Sequence, residues 1–130
     1  MKVLVVEDDF ISRKLMQRIL FPYGDCDIAV NGKEAVEAFK LALEEGEPYD
    51  LVCLDIMMPI MDGQEVLRQI RELEKNKGIE RFDGVKVIMT TALSDTRNVV
   101  EAMKSQCDAY LIKPIVKDKL VSELRMLGLV

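Results

Sequence analysis

At 130 residues, with 49% hydrophobic and 32% charged side chains, the chain is sized and composed for one domain, residues 1–130, around one sizeable core. Its net charge of −5, with no dense cluster of lysine and arginine, argues against direct contact with nucleic acid. No apolar run reaches the roughly 18 residues of a spanning helix and the start lacks the form of a secretory signal, so membrane insertion is not expected and a cytoplasmic location is.

The first predicted strand, Val3 to Val6, ends in Glu7-Asp8-Asp9. Ile11, Leu15, Met16, Ile19 and Leu20 then recur at the spacing of one helical face. A second strand covers Asp27 to Val30. Asn31-Gly32 in isolation signals a hairpin, but Glu34 three residues past Asn31 and the period of Ala35, Val36, Phe39, Ala42 and Leu43 favour a turn into a helix. The third strand, Leu51 to Leu54, ends at Asp55 and runs into Ile56-Met57-Met58-Pro59-Ile60-Met61-Asp62-Gly63, a loop unusually apolar for a connection.

Val66, Leu67, Ile70 and Leu73 mark a third helix. Glu74 to Gly84 has no clean period and reads as a surface loop with a frayed helix end. Val85 to Thr90 is the fourth strand. Ser94-Asp95 caps a fourth helix of Val99, Val100 and Met103, and Ala109 to Ile112 is the fifth strand, ending in Lys113-Pro114. Leu120, Val121, Leu124 and Leu127 form the fifth helix.

Strands and helices in strict alternation predict an α/β fold: a doubly wound, flavodoxin-like, five-stranded parallel sheet with five helices. Strand order 2-1-3-4-5 reverses between the first and third strands, the two that end in Glu7-Asp8 and Asp55. Cys26, Cys53 and Cys107 lie in apolar stretches without C-x-x-C spacing and read as buried, reduced thiols. The chain has no histidine, which removes the commonest general base and metal ligand, so any metal must be held by oxygen.

Three carboxylates at one crevice repel; two unit charges about 4 Å apart cost about 4 kcal/mol at an effective dielectric near 20. A hard cation relieves this, and Mg²⁺ suits a site offering one or two carboxylates, water and phosphate oxygens. Lys113 can neutralise remaining charge, and Met89-Thr90-Thr91-Ala92 brings a hydroxyl to the same edge. A carboxylate beside a cation and an ammonium can act as a nucleophile on phosphorus, giving an aspartyl phosphate.

In order and spacing, Glu7-Asp8, Asp55 with Met58-Pro59 and Asp62-Gly63, Thr91-Ala92 and Lys113-Pro114 resemble the motifs of response-regulator receiver domains, from Val3 to about Leu127. The resemblance implies a phosphoacceptor in two-component signal transduction, not an enzyme acting on other substrates. It makes Asp55 the phosphoacceptor, with Lys113 and Thr91 assisting. By the same resemblance Mg²⁺ would be held by Asp8, Asp55 and the main-chain carbonyl of Met57, with Glu7 acting through water; Asp9 matches no ligand position. The switch pairs Thr91 with Tyr110, and Thr90 points to the other strand face.

Lacking histidine, the chain must take its phosphoryl group from a sensor histidine kinase, a phosphotransfer protein or a small acyl phosphate. A downstream protein is expected on the face of the fourth helix, fifth strand and fifth helix, near Ser94, Arg97, Val100, Lys104 and Lys117. The absence of a linker at the end of the chain favours a stand-alone regulator. Met57 and Leu93 stand at the positions that tune hydrolysis in this family, and two apolar side chains there imply a long-lived phosphoryl group.

Other readings remain. The acids after the first strand can be solvated groups at a helix start, Lys113-Pro114 a simple turn, and Tyr110 a core residue. An Asp-based, Mg²⁺-dependent phosphatase needs a second Asp where Met57 stands. A flavin or nucleotide module needs a glycine-rich loop the chain lacks. A degenerate receiver used only for docking would lack part of the acid, hydroxyl and lysine set, which is complete.

Overall fold

The computed structural model describes residues 1–92 and 107–130. In chain order these form β1 (Lys2–Val6), α1 (Phe10–Leu20), β2 (Asp25–Ala29), α2 (Gly32–Glu44), β3 (Leu51–Asp55), α3 (Gly63–Asn76), β4 (Lys86–Thr91), β5 (Ala109–Ile112) and α4 (Lys117–Met126). Single 3₁₀ turns follow α1 at Phe21–Tyr23 and precede β4 at Arg81–Asp83. The helix predicted from Ser94-Asp95 through Met103 lies outside the described residues, among which there are four α-helices.

All five strands are parallel, in the order β2-β1-β3-β4-β5. Every neighbouring pair is in continuous register: Val6 lies opposite Leu54, Asp55 opposite Thr90 and Thr91 opposite Ile112. The carboxyl ends of four strands therefore finish level at one rim.

Alternation of side chains sends each strand into two cores. Leu4, Val6, Val52, Leu54, Val87 and Met89 pack with Phe39 of α2 and Val66, Leu67 and Ile70 of α3. Val3, Val5, Leu51, Cys53, Ile88 and Leu111 pack with Met16, Ile19 and Leu20 of α1 and Leu120 and Leu124 of α4. All five residues of β3 are buried, as a central strand covered on both faces requires. Among the described residues no helix is long and apolar enough to cross a membrane. Cys53 and Cys107 are buried and Cys26 half-buried, all three as free thiols.

Three helices begin with the same device. Asp9 Oδ2 accepts from Ser12 N at 2.8 Å, Asn31 Oδ1 from Glu34 N at 2.9 Å and Asp62 Oδ1 from Glu65 N at 3.0 Å. Each cap satisfies an N–H the first helical turn leaves open, worth about 1 kcal/mol. Asn31-Gly32 thus opens a helix and not a hairpin.

The Glu74 to Gly84 stretch departs from the surface loop predicted for it. The helix continues to Asn76, and Glu74 is buried at 3% exposure. Its Oε1 lies 2.7 Å from Arg71 Nη1, and its Oε2 accepts from Val85 N at 2.6 Å. Arg71 also donates to Val85 O at 2.8 Å and reaches Asp108 Oδ2 at 3.1 Å; Asp108 accepts from Val87 N at 2.8 Å and from Arg81 Nη2 at 3.2 Å. Gly84 makes room for this acid: a Cβ there would stand 2.5 Å from Glu74 Oε1 and push the carboxylate off its partners. A buried acid spaced four residues from Ile70 continues the core stripe, and hydrophobic periodicity cannot register it.

Candidate functional site

At the carboxyl rim, one ligand oxygen each from Glu7, Asp8 and Asp55 lies within 4.8 Å of the others. They come from the ends of β1 and β3, either side of the point where strand order reverses. Glu7 and Asp55 are 3% and 4% exposed, whereas Asp8 is open to solvent. Glu7 is held firmly: its N–H donates to Ala29 O at 3.1 Å, its Oε1 accepts from Asp9 N at 3.2 Å and its Oε2 from Lys113 Nζ at 2.9 Å. Asp9 stands apart as the cap of α1, and its Ser12 hydrogen bonds hold its carboxyl below the usual range.

Asp55 has weaker support. Its Oδ1 accepts from Met57 N at 3.3 Å and lies 3.4 Å from Lys113 Nζ. Burial, reinforced by the charge of Glu7, pushes Asp55 up to about 7, and Lys113 and the Met57 N–H offset only part of this. Burial works against the Lys113 ammonium, but its hydrogen bond to Glu7 and the charge of Asp55 raise it above its ordinary value.

Backbone contacts fix these side chains. Ile56 N donates to Thr90 O at 3.0 Å and Lys113 N to Thr91 O at 2.7 Å, extending the strand ladders to both residues. The Lys113–Pro114 peptide is cis. Gly63 packs directly on the acid's own backbone: a Cβ there would fall against Asp55 O and 2.8 Å from Ile56 Cα. Asp62-Gly63 is therefore both a cap and a close approach.

Thr90 and Thr91 are both buried. Thr91 shares the strand face of Met89 and Thr90 that of Ile88, so the two hydroxyls leave opposite sides of β4. Thr91 Oγ1 donates to Ala92 O at 3.2 Å. Tyr110 is 42% exposed between buried Ala109 and Leu111, so it is not a core residue. Met57 is 56% exposed and its neighbour Met58 is covered. Leu93 lies outside the described residues.

Arg13 escaped the sequence reading. Its Nη1 donates to Glu7 O at 3.1 Å and its guanidinium lies 5.4 Å from the Phe10 ring centre. A base one turn into the helix that follows three acids was the available signal. The donor set, all oxygen and crowded, with three carboxylates facing one ammonium, fits a hard divalent cation.

The response regulator receiver domain family matches residues 3–125. The chemotaxis protein CheY of Halobacterium salinarum is 35% identical over 124 residues, covering 95% of this chain and 92% of that protein. The receiver domain of the histidine kinase CKI1 from Arabidopsis thaliana, complexed with Mg²⁺ and BeF₃⁻, superposes with a TM-score of 0.82 at 29% identity over 98% of this chain and 89% of that one. The Saccharomyces cerevisiae receiver of Ssk1, in co-crystal with the histidine phosphotransfer protein Ypd1, gives a TM-score of 0.83 at 31% identity over 98% and 88%. Against other curated relatives the chain spans 55% of one and 7% of another.

Proposed function

Since the chain belongs to the response regulator receiver domain family of two-component signalling, we propose that it is a Mg²⁺-dependent phosphoacceptor whose Asp55 takes a phosphoryl group from a sensor histidine kinase or phosphotransfer protein. The observation that carries this reading is the convergence of Glu7, Asp8 and Asp55 within 4.8 Å, with Lys113 bridging two of them. Asp8, Asp55 and the Met57 carbonyl would hold the ion, with Glu7 acting through water. Bound there, Mg²⁺ would neutralise acid charge and supply electrophilic stabilisation to the transferred group.

The chain's own residues do the rest. An Asp55 carboxylate oxygen attacks phosphorus as the bond from phosphorus to the donor's imidazole nitrogen, or to an acyl oxygen, breaks with its electron pair leaving on the donor. Lys113 faces the charge that gathers on the transferred group, and Thr91 can turn its proton from Ala92 O to a phosphoryl oxygen. The chain catalyses its own modification and acts on no other substrate. A cytoplasmic location fits partners of this kind.

The added charge, nearly two units, biases the loops around Asp55 and Thr91. The output face includes exposed Tyr110 and Ile112 of β5 and Lys117 of α4; Ser94, Arg97, Val100 and Lys104, assigned to the same face from sequence, lie outside the described residues. Incubation with acetyl phosphate and Mg²⁺ tests the proposal. Intact-mass spectrometry should show one acid-stable, base-labile phosphoryl group, lost in Asp55→Asn and without Mg²⁺. A group that persists in Asp55→Asn would refute the assignment.

A further inference from the structure

We propose that Met57 is a peroxide-sensitive modification site whose oxidation shortens the life of a phosphoryl group on Asp55. The proposal rests on the phosphoacceptor reading of Asp55. Two observations carry it. Met57 N donates to Asp55 Oδ1 at 3.3 Å, so residue 57 is fastened to the acceptor carboxylate by its own backbone. Its side chain is nevertheless 56% exposed, while Met58 beside it is 9% exposed and Met16 and Met89 are 3% and 0%.

Met61 N donates to Pro59 O at 2.8 Å, and Ile60 has φ +73 with 91% of its surface exposed. Around this tight reversal Met58 and part of Met61 pack against the core, whereas Met57 and Ile60 stay exposed. An oxidant in solution therefore meets the Met57 thioether before the other sulfurs of the loop. Among the described residues only Met126, in α4, is a more exposed methionine, at 77%.

The chemistry is a two-electron oxygen transfer. The sulfur lone pair attacks one oxygen of hydrogen peroxide, the O–O bond breaks, and an S–O bond forms. The departing hydroxide takes the proton carried on the newly bound oxygen and leaves as water, so sulfur is oxidised as peroxide is reduced. A thioether accepts hydrogen bonds weakly, whereas the sulfoxide is polar with a strong acceptor oxygen. Because the Met57 backbone is fastened to the Asp55 carboxylate, a group carried on Asp55 lies within reach of this side chain, and the sulfoxide oxygen can hold and orient a water that a thioether leaves unordered. Water attack on phosphorus is then faster, by about threefold or more, the effect of one added hydrogen bond.

The test uses acetyl phosphate with Mg²⁺ to load the protein, removes the donor, and follows loss of the phosphoryl mass with time. It is run before and after limited hydrogen peroxide treatment, with peptide mapping of each methionine and with Met57→Leu and Met126→Leu in parallel. Expected are sulfoxide at Met57 well ahead of Met58, a lifetime cut to about one third or below, and recovery after methionine sulfoxide reductase. Met126→Leu should respond like the parent and Met57→Leu should show no peroxide effect. An unchanged or longer lifetime with Met57 oxidised overturns the proposal, as does the same shortening in Met57→Leu. Untreated protein that accepts no phosphoryl group would overturn the phosphoacceptor reading with it; normal loading with an unchanged lifetime overturns this inference alone.

Discussion

Lys113 and Glu7, 106 positions apart in the chain, form the tightest ion pair at the carboxyl rim, with Nζ 2.9 Å from Oε2. The same ammonium is 3.4 Å from Asp55, so it leans toward the acid that also accepts from Asp9 N and leaves Asp55 undercompensated. Lys113→Ala should therefore raise the Asp55 titration still further and slow phosphorylation by acetyl phosphate about 100-fold. Carbonyl-carbon NMR titration and the rate of mass gain check both. An Asp55 pKa that stays in place would mean that Lys113 does not stabilise its charge.

The elevated Asp55 pKa has a definite sign in stability. The native carboxyl holds its proton to about 7 while an ordinary one releases it near 3.8. The native state thus binds more protons between those values, and the stability Asp55 contributes is complete below about pH 4 and lost as pH rises through 7. At pH 8 the penalty is at most on the order of 4 kcal/mol. In EDTA, Asp55→Asn should gain stability over the parent at pH 8 and much less at pH 5, read by urea denaturation. The same difference at both pH values would refute this account.

Metal should relieve that penalty. At pH 8, Mg²⁺ at about one hundred times its Kd should stabilise the parent by about 2.7 kcal/mol, with a much smaller gain in Asp8→Asn. Differential scanning calorimetry with and without EDTA measures it. An equal gain in both proteins would place the ion elsewhere.

At the opposite rim, Asp108→Ala should be severe. It strips partners from Arg71 and Arg81 and from Val87 N in a buried setting, a loss of about 3–5 kcal/mol. Asp83→Ala, at an exposed position in the adjoining 3₁₀ turn, should stay within about 0.5 kcal/mol. Chemical denaturation of the pair separates the network from a general effect of lost charge.

What the sequence made legible follows from parallel-strand physics. A strand covered on both faces is an unbroken apolar run, so a carboxylate at its end stands out, and Glu7, Asp55 and Lys113 could be brought to one rim before any coordinates. β2 was less readable: it begins at Asp25 and ends at Ala29, two residues and one residue earlier than the Asp27 to Val30 predicted, because an edge strand is apolar on fewer of its positions. The acids after β1 also divide in a way that pattern alone does not separate. Glu7 is buried and paired, Asp8 is open, and Asp9 is a helix cap. Arg71, Glu74 and Asp108 were illegible because buried charges satisfied by one another have no hydrophobic signature.

The two ends of the sheet have opposite temperaments. At the Glu74–Arg71–Asp108 end every buried charge meets its counterpart, while at the other a surplus of anions waits for something cationic. Phe82, 86% exposed on the turn at the satisfied end, is for that reason a convenient place for a handle: a dye or immobilising group carried by Phe82→Cys would sit at the far end of the sheet from Asp55 and report on the molecule without disturbing its chemistry.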